Sequence, residues 1–367
     1  MSKRIALITC HCFDNIIQQL EHDDSDLEQA LSKYGHHVET KVWTDTAVDW
    51  SAYDLCVLRT TWDYADNPEK CEKFLHWARS VEELGVILTH NSSILRWNCH
   101  KGYLLHFRSR GVNTPDMTVL TAGKSFNVAT FLEMQPWRQV IVKPAIGNTA
   151  NGVMRYDRKD AGGRLQSYVE ELLMKGDVIL QEYIDAVETC GEYSCIFIAG
   201  KFSHGVLKRP VKGDYRVQLE FGGDVEAADI PPRVREAAER CLSALPEFRA
   251  ELVHARFDLV DPGPPHKPIL IEAELIDSDL FLEECDGATE RLAHGILGVF
   301  PPPCYMIVHN VAKKHNIGTL ARSCTAFNVA EMCLVGNDRV NVFGSHGADA
   351  HVSMKYFPKL AEVTHPL

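Results

Sequence analysis

The sequence predicts an α/β protein, and three observations carry that expectation. Over the first ninety residues, short apolar runs alternate with amphipathic helical patterns, as in an open parallel sheet with crossover helices. Further on, VHARFDLVDPGPPHKPILIEAELI sets two strands around a Pro/Gly-rich turn, which describes an antiparallel hairpin. Between these regions, VIVKPAIGNTANGV ends an apolar strand on a lysine and a loop of glycines and small polar residues.

The bulk properties fit a cytoplasmic globular protein. A chain of 367 residues has room for two or three domains, and 45% hydrophobic with 24% charged residues is an ordinary balance. No apolar run reaches the ~18 residues of a membrane span. The strand-like KRIALITC begins at once, so neither a span nor a signal peptide is expected. Twelve scattered cysteines without repeated C-x-x-C pairs predict free thiols in a reducing compartment. The cluster Cys10-His11-Cys12 reads as structural rather than metal-binding. A net charge of −12 argues against general nucleic-acid binding. The charge is uneven: from residue 301 onward six basic side chains face four acidic ones, so the excess of acid lies wholly before that point.

In order, RIALITC, HVETKVW, DLCVLRTTW and GVILTHN read as strands and DLEQALSKYG as a helix. A second helix opens at Asn67-Pro68-Glu69, where Asn caps and Pro suits the first turn. Ligands of parallel sheets gather at the carboxyl ends of the strands. The turn Arg59-Thr60-Thr61-Trp62-Asp63-Tyr64 therefore qualifies as a binding turn; the competing reading is packing by Trp62 and Tyr64 with a local Arg59–Asp63 ion pair. From Leu95 to about Leu173 the pattern predicts a helix carrying Lys101, a second short α/β stretch and the loop after Lys143. The strand GDVILQEYI follows, then a hairpin in EYSCIFIAGKFSHGVLKRP turning at Ala199-Gly200, the polar loop GDYRVQLEFGG, the helix PRVREAAERCLSAL and the final hairpin. Three prolines at 301–303 mark a linker. The expected divisions are an N-terminal open α/β domain (1–95), a central domain (96–298) with a lid at about 112–180, and a tail (301–367).

Side chains alternate faces along a strand. Arg256 and Asp258 thus share one face, and Glu272 and Glu274 share one face of the partner. A turn centred near Pro265 sets Asp258 opposite Glu272 and Arg256 opposite Glu274, leaving Ala255, Phe257, Leu259, Ile271, Ala273 and Leu275 to form the apolar side. Three carboxylates on one patch would repel, with one or more pKa values raised. Mg²⁺ resolves the conflict, because it takes oxygen ligands and shares them with phosphates; Mn²⁺ is the alternative. Lys143 and its glycine loop supply cation and backbone for a phosphate. The glycines follow the lysine rather than precede it, so this is not a P-loop.

Taken as an ordered series, LRTTWDY, LRWN, Lys101, VIVKP, GEYS, LKRP, GDYRVQ, GG, RFDLV and IEAELI resemble the ATP-grasp ligases, and within them the cycloserine-forming cyclo-ligase group. The resemblance covers about residues 1 to 300. It implies an α/β ATP-grasp (glutathione-synthetase-like) architecture of three subdomains, with ATP and Mg²⁺ as cofactors. By the same resemblance Lys101 and Lys143 hold the phosphates, and the loop with Gly147, Asn148 and Gly152 closes over them. Gln181, Glu182, Tyr183 and Ile184 would supply the backbone edge for adenine, and Glu192 the ribose contact. Lys208 and Arg209 would meet phosphate or the substrate carboxylate, and Arg59, Trp62 and Arg216 would face the substrate. Asp258, Glu272 and Glu274 would hold the metal, with Arg256 neutralising developing charge. Two departures stand out: Glu274 occupies a position where the superfamily often has asparagine, and His100 precedes Lys101 where an acid is expected. The implied reaction activates a small, amino-acid-like carboxylate as an acyl phosphate for attack by an amine, between molecules or within one. The glycines of 147–152 and the loop 213–223 would close over the acyl phosphate and exclude water.

In the tail, YMIVHNVAKKHNIGTLARSCTAFNVAEMCLV reads as strand, helix and strand, with Asn316 as cap and Gly318 permitting close approach. It resembles the first motif of the SpoU-type RNA 2′-O-ribose methyltransferases, in which the residues matching Asn316 and Arg322 serve the reaction. Only about sixty residues match, and Asn328 replaces the glycine expected after Phe327. The later segments that build the knotted cofactor pocket are absent before Leu367, so S-adenosylmethionine is not expected to bind. The tail reads as an appendage, with a homodimer as one way of covering its strands. Two rival classes stand beside the ligase: a protein that contacts or modifies RNA through this tail, and a nucleotide-binding protein without turnover.

Overall fold

The computed structural model describes residues 2–11, 15–148, 150–211, 214, 216–217, 222–301, 304–310, 316–327, 329–336, 345–348 and 352–363, with backbone alone at 15–23 and 310. The chain forms two compact units, residues 2–299 and 300–367.

The first unit opens with β1 (Arg4–Thr9), α1 (Asn15–Lys33), β2 (His37–Val42), β3 (Leu55–Thr60), α2 (Pro68–Glu83) and β4 (Ile87–Thr89). The four strands form a parallel sheet in the order β2-β1-β3-β4. All six residues of β3 are buried, which is why LCVLRT shows no alternation. The Asn67 side chain accepts the Lys70 N–H and Pro68 stands in the first turn of α2, as the sequence predicts. Cys71, Phe74, Leu75 and Ala78, at helical spacing, are its buried face. Phe74 stacks on Tyr64 and Trp77; cutting so central an aromatic back to alanine costs about 3–5 kcal/mol.

The single helix expected to carry Lys101 is instead two, α3 (Ser92–Asn98) and α4 (Tyr103–Ser109), with Lys101 in the turn between them. His100 is the reason. Its Nδ1 accepts the Gly102 N–H at 3.0 Å, and a Cβ at Gly102 would stand 2.8 Å from that same nitrogen. The Lys101 N–H then donates to the Ala145 carbonyl at 2.7 Å, fixing the turn against the strand that carries Lys143.

A second sheet, antiparallel in the order β5-β8-β6-β7, contains β5 (Met117–Leu120), β6 (Gln139–Pro144), β7 (Met154–Asp157) and β8 (Val178–Glu182). Val140, Val142, Val178 and Leu180 pack against residues of α5 (Val128–Glu133) and α6 (Arg164–Leu173). After α7 (Ala186–Cys190), the third sheet comprises β9 (Glu192–Ile198), β10 (Lys201–Arg209), β11 (Asp224–Ala227), β12 (His254–Val260) and β13 (Ile269–Glu274), in the order β11-β10-β9-β12-β13. Its first hairpin turns at Ala199 (φ 47°) and Gly200 (φ 73°), the two left-handed residues of a tight hairpin turn. One face is covered by α8 (Pro232–Ala244), whose Val234, Ala238 and Cys241 join Phe197, Ala255 and Phe257 in one core. Arg256 pairs with Glu274 and Asp258 with Glu272, the register expected from the turn. Helix α9 (Ala288–Leu297) ends the unit. The eleven described cysteines are free, and no described helix is long and apolar enough to cross a membrane.

The second unit holds β14 (Tyr305–Asn310), α10 (Asn316–Ala326), β15 (Glu331–Gly336) and β16 (Ser353–Phe357), with the strands parallel in the order β14-β15-β16. Ile317, Ala321 and Cys324 bury the inner face of α10 on Met332 and Leu334. Asn316 is the first residue of that helix, so any cap ahead of it lies outside the described residues, as does Asn328. Arg322 is exposed on α10.

Candidate active site

Within residues 2–299, β6, β10, β12, β13, the turn after β3 and the Lys101 turn enclose a cavity of about 310 Å³. Lys143 enters it from β6, only 8% exposed. Burial pushes its ammonium down to about 8, with Glu272 acting in the opposite sense. Among the described residues no carboxylate stands within ion-pairing distance of it. Lys101, from its turn, is paired with Glu272 on β13.

Lys208, on β10, lies 2.5 Å from Glu192 and 3.1 Å from Asp258. Arg209 does not join it. Successive side chains on a strand face opposite ways, and Arg209 is exposed on the far face, paired with Glu226. Glu192 is itself buried, so the residue assigned to ribose is engaged by Lys208.

Asp258 accepts from the Ser194 hydroxyl at 2.6 Å, from Lys208 at 3.1 Å, and from Arg256 at 3.1 and 3.0 Å. The last link spans to β13, where the Arg256 guanidinium also lies 2.7 Å from Glu274. Burial disfavours the Asp258 carboxylate, yet Arg256 and Lys208 hold it well below the usual range. For Glu272 burial is likewise outweighed, by Lys101 and Lys143, and its carboxyl is lowered. Glu274 behaves otherwise: burial prevails and its carboxyl is raised. Repulsion from Glu272 and Asp258 adds to the rise at Glu274, whereas at the other two acids the neighbouring cations prevail. Arg256, Lys101 and Lys208 interleave with the acids.

Carboxylate oxygens of Asp258, Glu272 and Glu274 all lie within 4.8 Å of one another. Three hard oxygen donors at this spacing suit Mg²⁺. Glu272 and Glu274 have acceptor capacity to spare, whereas the four donors on Asp258 fill its lone-pair sites. A metal would reach Asp258 only by displacing one of them.

The loop after β6 contributes Gly147, Asn148 and Asn151 to the lining. Gly152 stands back from it at φ 70°, where a Cβ would come within 3.1 Å of the Pro144 ring. The Asn148 amide donates to the Trp62 carbonyl at 2.6 Å, tying this loop to the turn after β3. At the end of β8, Gln181, Tyr183 and Ile184 line the cavity and the Glu182 side chain does not. The N–H groups of Glu182 and Tyr183 are spent on the Asp116 and Gln139 carbonyls. Arg216 lines the cavity and holds Asp214 with two hydrogen bonds; much of the loop 213–223 lies outside the described residues.

Trp62 lines the cavity, but Arg59 does not. Arg59 is 2% exposed and its Nε lies 2.7 Å from Asp24 of α1. This buried pair is a long-range one, neither the substrate contact nor the local Asp63 pair that the sequence suggests. Asp63 instead accepts from the Trp43 indole and Lys70. Two acids that sequence reasoning passed over do line the cavity: Asp277 and Asp279, in the segment after β13. Their signal was present in IEAELIDSD, where acids continue at every second or third position.

Residues 5–90 match the D-cycloserine synthetase DcsG N-terminal domain, and residues 105–260 the ATP-grasp domain of prokaryotic glutathione synthetase. The chain is 30% identical over 300 residues to the cycloserine biosynthesis protein DcsG of Streptomyces lavendulae, a span of 80% of this chain and 97% of that protein. It is 27% identical over 177 residues to a glutathione synthetase of Parasynechococcus marenigrum, covering 48% of this chain and 54% of the other. Among solved structures, D-cycloserine synthetase DcsG superposes with a TM-score of 0.71 at 28% identity, over 81% of this chain and all of that one. The D-alanine--D-alanine ligase from Bacillus anthracis complexed with ATP, at 18% identity and TM-score 0.58, shares the fold over 81% of this chain and 97% of its own.

Proposed function

The chain belongs to the family of ATP-grasp ligases that includes D-cycloserine synthetase, and from that premise we propose how its cavity performs an ATP-dependent carboxylate–amine ligation. The observation that carries the reading is Lys143, a buried ammonium without a carboxylate partner among the described residues, in the same cavity as Asp258, Glu272 and Glu274. Such a cation awaits an anion, and the nucleotide phosphates supply it.

Lys143 and Lys101 bind the phosphates, and the loop with Gly147 and Asn148 covers them. Glu272 and Glu274, with Asp258 after one exchange of partners, would hold Mg²⁺, which when bound would supply charge to spread over the transferring phosphoryl group. Arg256 keeps Asp258 and Glu274 oriented and balances their charge. A carboxylate oxygen of the substrate attacks the γ-phosphorus; its bond to the bridging oxygen breaks and ADP leaves. The acyl phosphate then meets an amine nitrogen, a C–N bond forms, the C–O bond to phosphate breaks and the amine gives up a proton. Water would destroy the acyl phosphate, and the Asn148–Trp62 contact is suited to hold the covering loop shut. The substrate is small and amino-acid-like, and the work belongs in the cytoplasm, where ATP and reduced thiols are found. For residues 300–367 we infer an appendage that takes no part in the ligation; the likeness of Asn316 and Arg322 to the SpoU motif suggests ancestry rather than methyl transfer.

The test is isotopic. Amino acids carrying ¹⁸O in the carboxylate are incubated with ATP, Mg²⁺ and an amine, and released phosphate is weighed by mass spectrometry. One labelled oxygen per phosphate is expected; cleavage of ATP without label in the phosphate would refute the acyl phosphate.

A further inference from the structure

The charges lining the cavity do not cancel within the protein. Four of its bases are engaged: Lys101 by Glu272, Lys208 by Glu192 and Asp258, Arg256 by Asp258 and Glu274, Arg216 by Asp214. Among the described residues this leaves one buried cation, Lys143, without a carboxylate, and two lining acids, Asp277 and Asp279, whose carboxylate oxygens have no cation at ion-pairing distance; Arg256 reaches Asp279 at its backbone carbonyl, 2.9 Å from Nη1. The two groups lie on different walls, Lys143 on β6 and the acids on the segment after β13.

The partners that Asp277 does have are neutral. Its Oδ2 accepts from the Thr61 hydroxyl at 3.0 Å, and its carbonyl accepts from the Trp62 indole N–H at 2.8 Å. These bonds fix the carboxyl at the wall where the covering loop docks, since Asn148 holds the Trp62 carbonyl. Asp279 spends Oδ1 on the Phe281 N–H at 2.9 Å. A carboxylate out of water is costly unless a cation meets it. Phosphates satisfy Lys143 but worsen the position of Asp277. A ligand that completes the cavity at this wall therefore brings a positive group of its own, besides the phosphates and the Mg²⁺ that Glu272 and Glu274 would hold.

We propose that Asp277, with Asp279 two residues on, receives the ammonium group of an amino-acid substrate at the Trp62 turn, and so selects amino acids over plain carboxylic acids. The inference rests on the ligase reading, which supplies a small carboxylate to this cavity. It adds the group by which that substrate is recognised. Burial raises the Asp277 carboxyl to about 7, with the Thr61 hydroxyl opposing, which fits a group whose counter-charge arrives with the ligand. Thr61 and Trp62 are then positioning residues.

The experiment is a thermal-shift titration of the full chain with AMP-PNP·Mg²⁺, followed by alanine, serine and glutamate of both hands, each set against propionate, hydroxypropionate and glutarate. At least one amino acid is expected to add a further shift that its des-amino counterpart does not. Asp277→Asn, which keeps an oxygen for Thr61, should retain the nucleotide shift and bind that amino acid about 10- to 100-fold more weakly, as loss of a charge-assisted hydrogen bond implies. Asp277→Glu should recover part of the affinity. Equal shifts from the amino acid and its des-amino counterpart, no further shift from any amino acid, or undiminished affinity in Asp277→Asn would each overturn the inference while leaving the nucleotide site in place. Absence of any nucleotide shift in the wild type would instead remove the ligase reading itself.

Discussion

Arg256 and Glu274 face each other across β12 and β13, with a guanidinium nitrogen 2.7 Å from a carboxylate oxygen. The same guanidinium grips Asp258, so one arginine balances two of the three clustered acids. Arg256→Met should lower stability by about 3–5 kcal/mol in EDTA, since it leaves buried charge uncompensated. Mg²⁺ should restore part of the loss by replacing the missing charge. Urea unfolding with and without the metal measures both; a deficit that Mg²⁺ does not touch would separate Arg256 from the proposed metal ligands.

Arg59 offers a second case of buried charge. Its contact with Asp24 at 2.7 Å predicts that Arg59→Ala destabilises the protein by about 3–5 kcal/mol. The double variant Arg59→Met/Asp24→Leu should recover part of that loss, because the Asp24 carboxylate is then not left facing an empty place. If Arg59→Ala unfolds at the same urea concentration as the wild type but binds the amino-acid substrate poorly, the residue contacts substrate after all.

A pH effect should come from His90 and His254, whose rings lie 4.5 Å apart in the core. The Nε2 of His90 accepts the Val253 N–H at 2.9 Å, so its Nδ1–H donates to the Leu275 carbonyl and the ring is neutral. Burial pushes His90 down to about 4, and burial, His90 and Arg59 push His254 well below its ordinary value. Both folded values lie under the unfolded value of about 6.5, so the unfolded chain takes up protons first. Stability present above pH ~6.5 is lost as pH falls toward ~4, by about 3 kcal/mol for His90 alone. The raised carboxyls of Glu274 and Asp277 act in the opposite sense. The test is therefore the difference between wild type and His254→Phe across pH ~7.5 to ~4.5: the variant should lose less stability, and parallel profiles would contradict the assignment.

The parts of the site that were legible in the sequence are those set by local periodicity. The β12–β13 register followed from a turn centred near Pro265, and with it the pairing of Arg256 with Glu274 and of Asp258 with Glu272. Lys143 was legible as the lysine closing an apolar strand. Alternation also excludes Lys208 and Arg209 from sharing one face, a consequence the sequence reading did not draw. Other features depend on contacts distant in the chain. Asp24, from α1, decides the fate of Arg59; the His100 ring decides where the Lys101 helix breaks; and Thr61 and Trp62 decide that the irregular segment after Glu274 brings Asp277 to the cavity. No periodic pattern encodes such meetings.

Calorimetric titration of ATP·Mg²⁺ into the wild type and Lys143→Ala decides whether Lys143 receives the phosphates of ATP. Saturable binding to the wild type is expected, with affinity about 10- to 100-fold weaker in the variant, the worth of one charge-assisted contact. The nucleotide-free variant should be no less stable than the wild type, since a buried ammonium without a carboxylate partner among the described residues has been removed. Equal ATP affinity in the two proteins would contradict that role for Lys143.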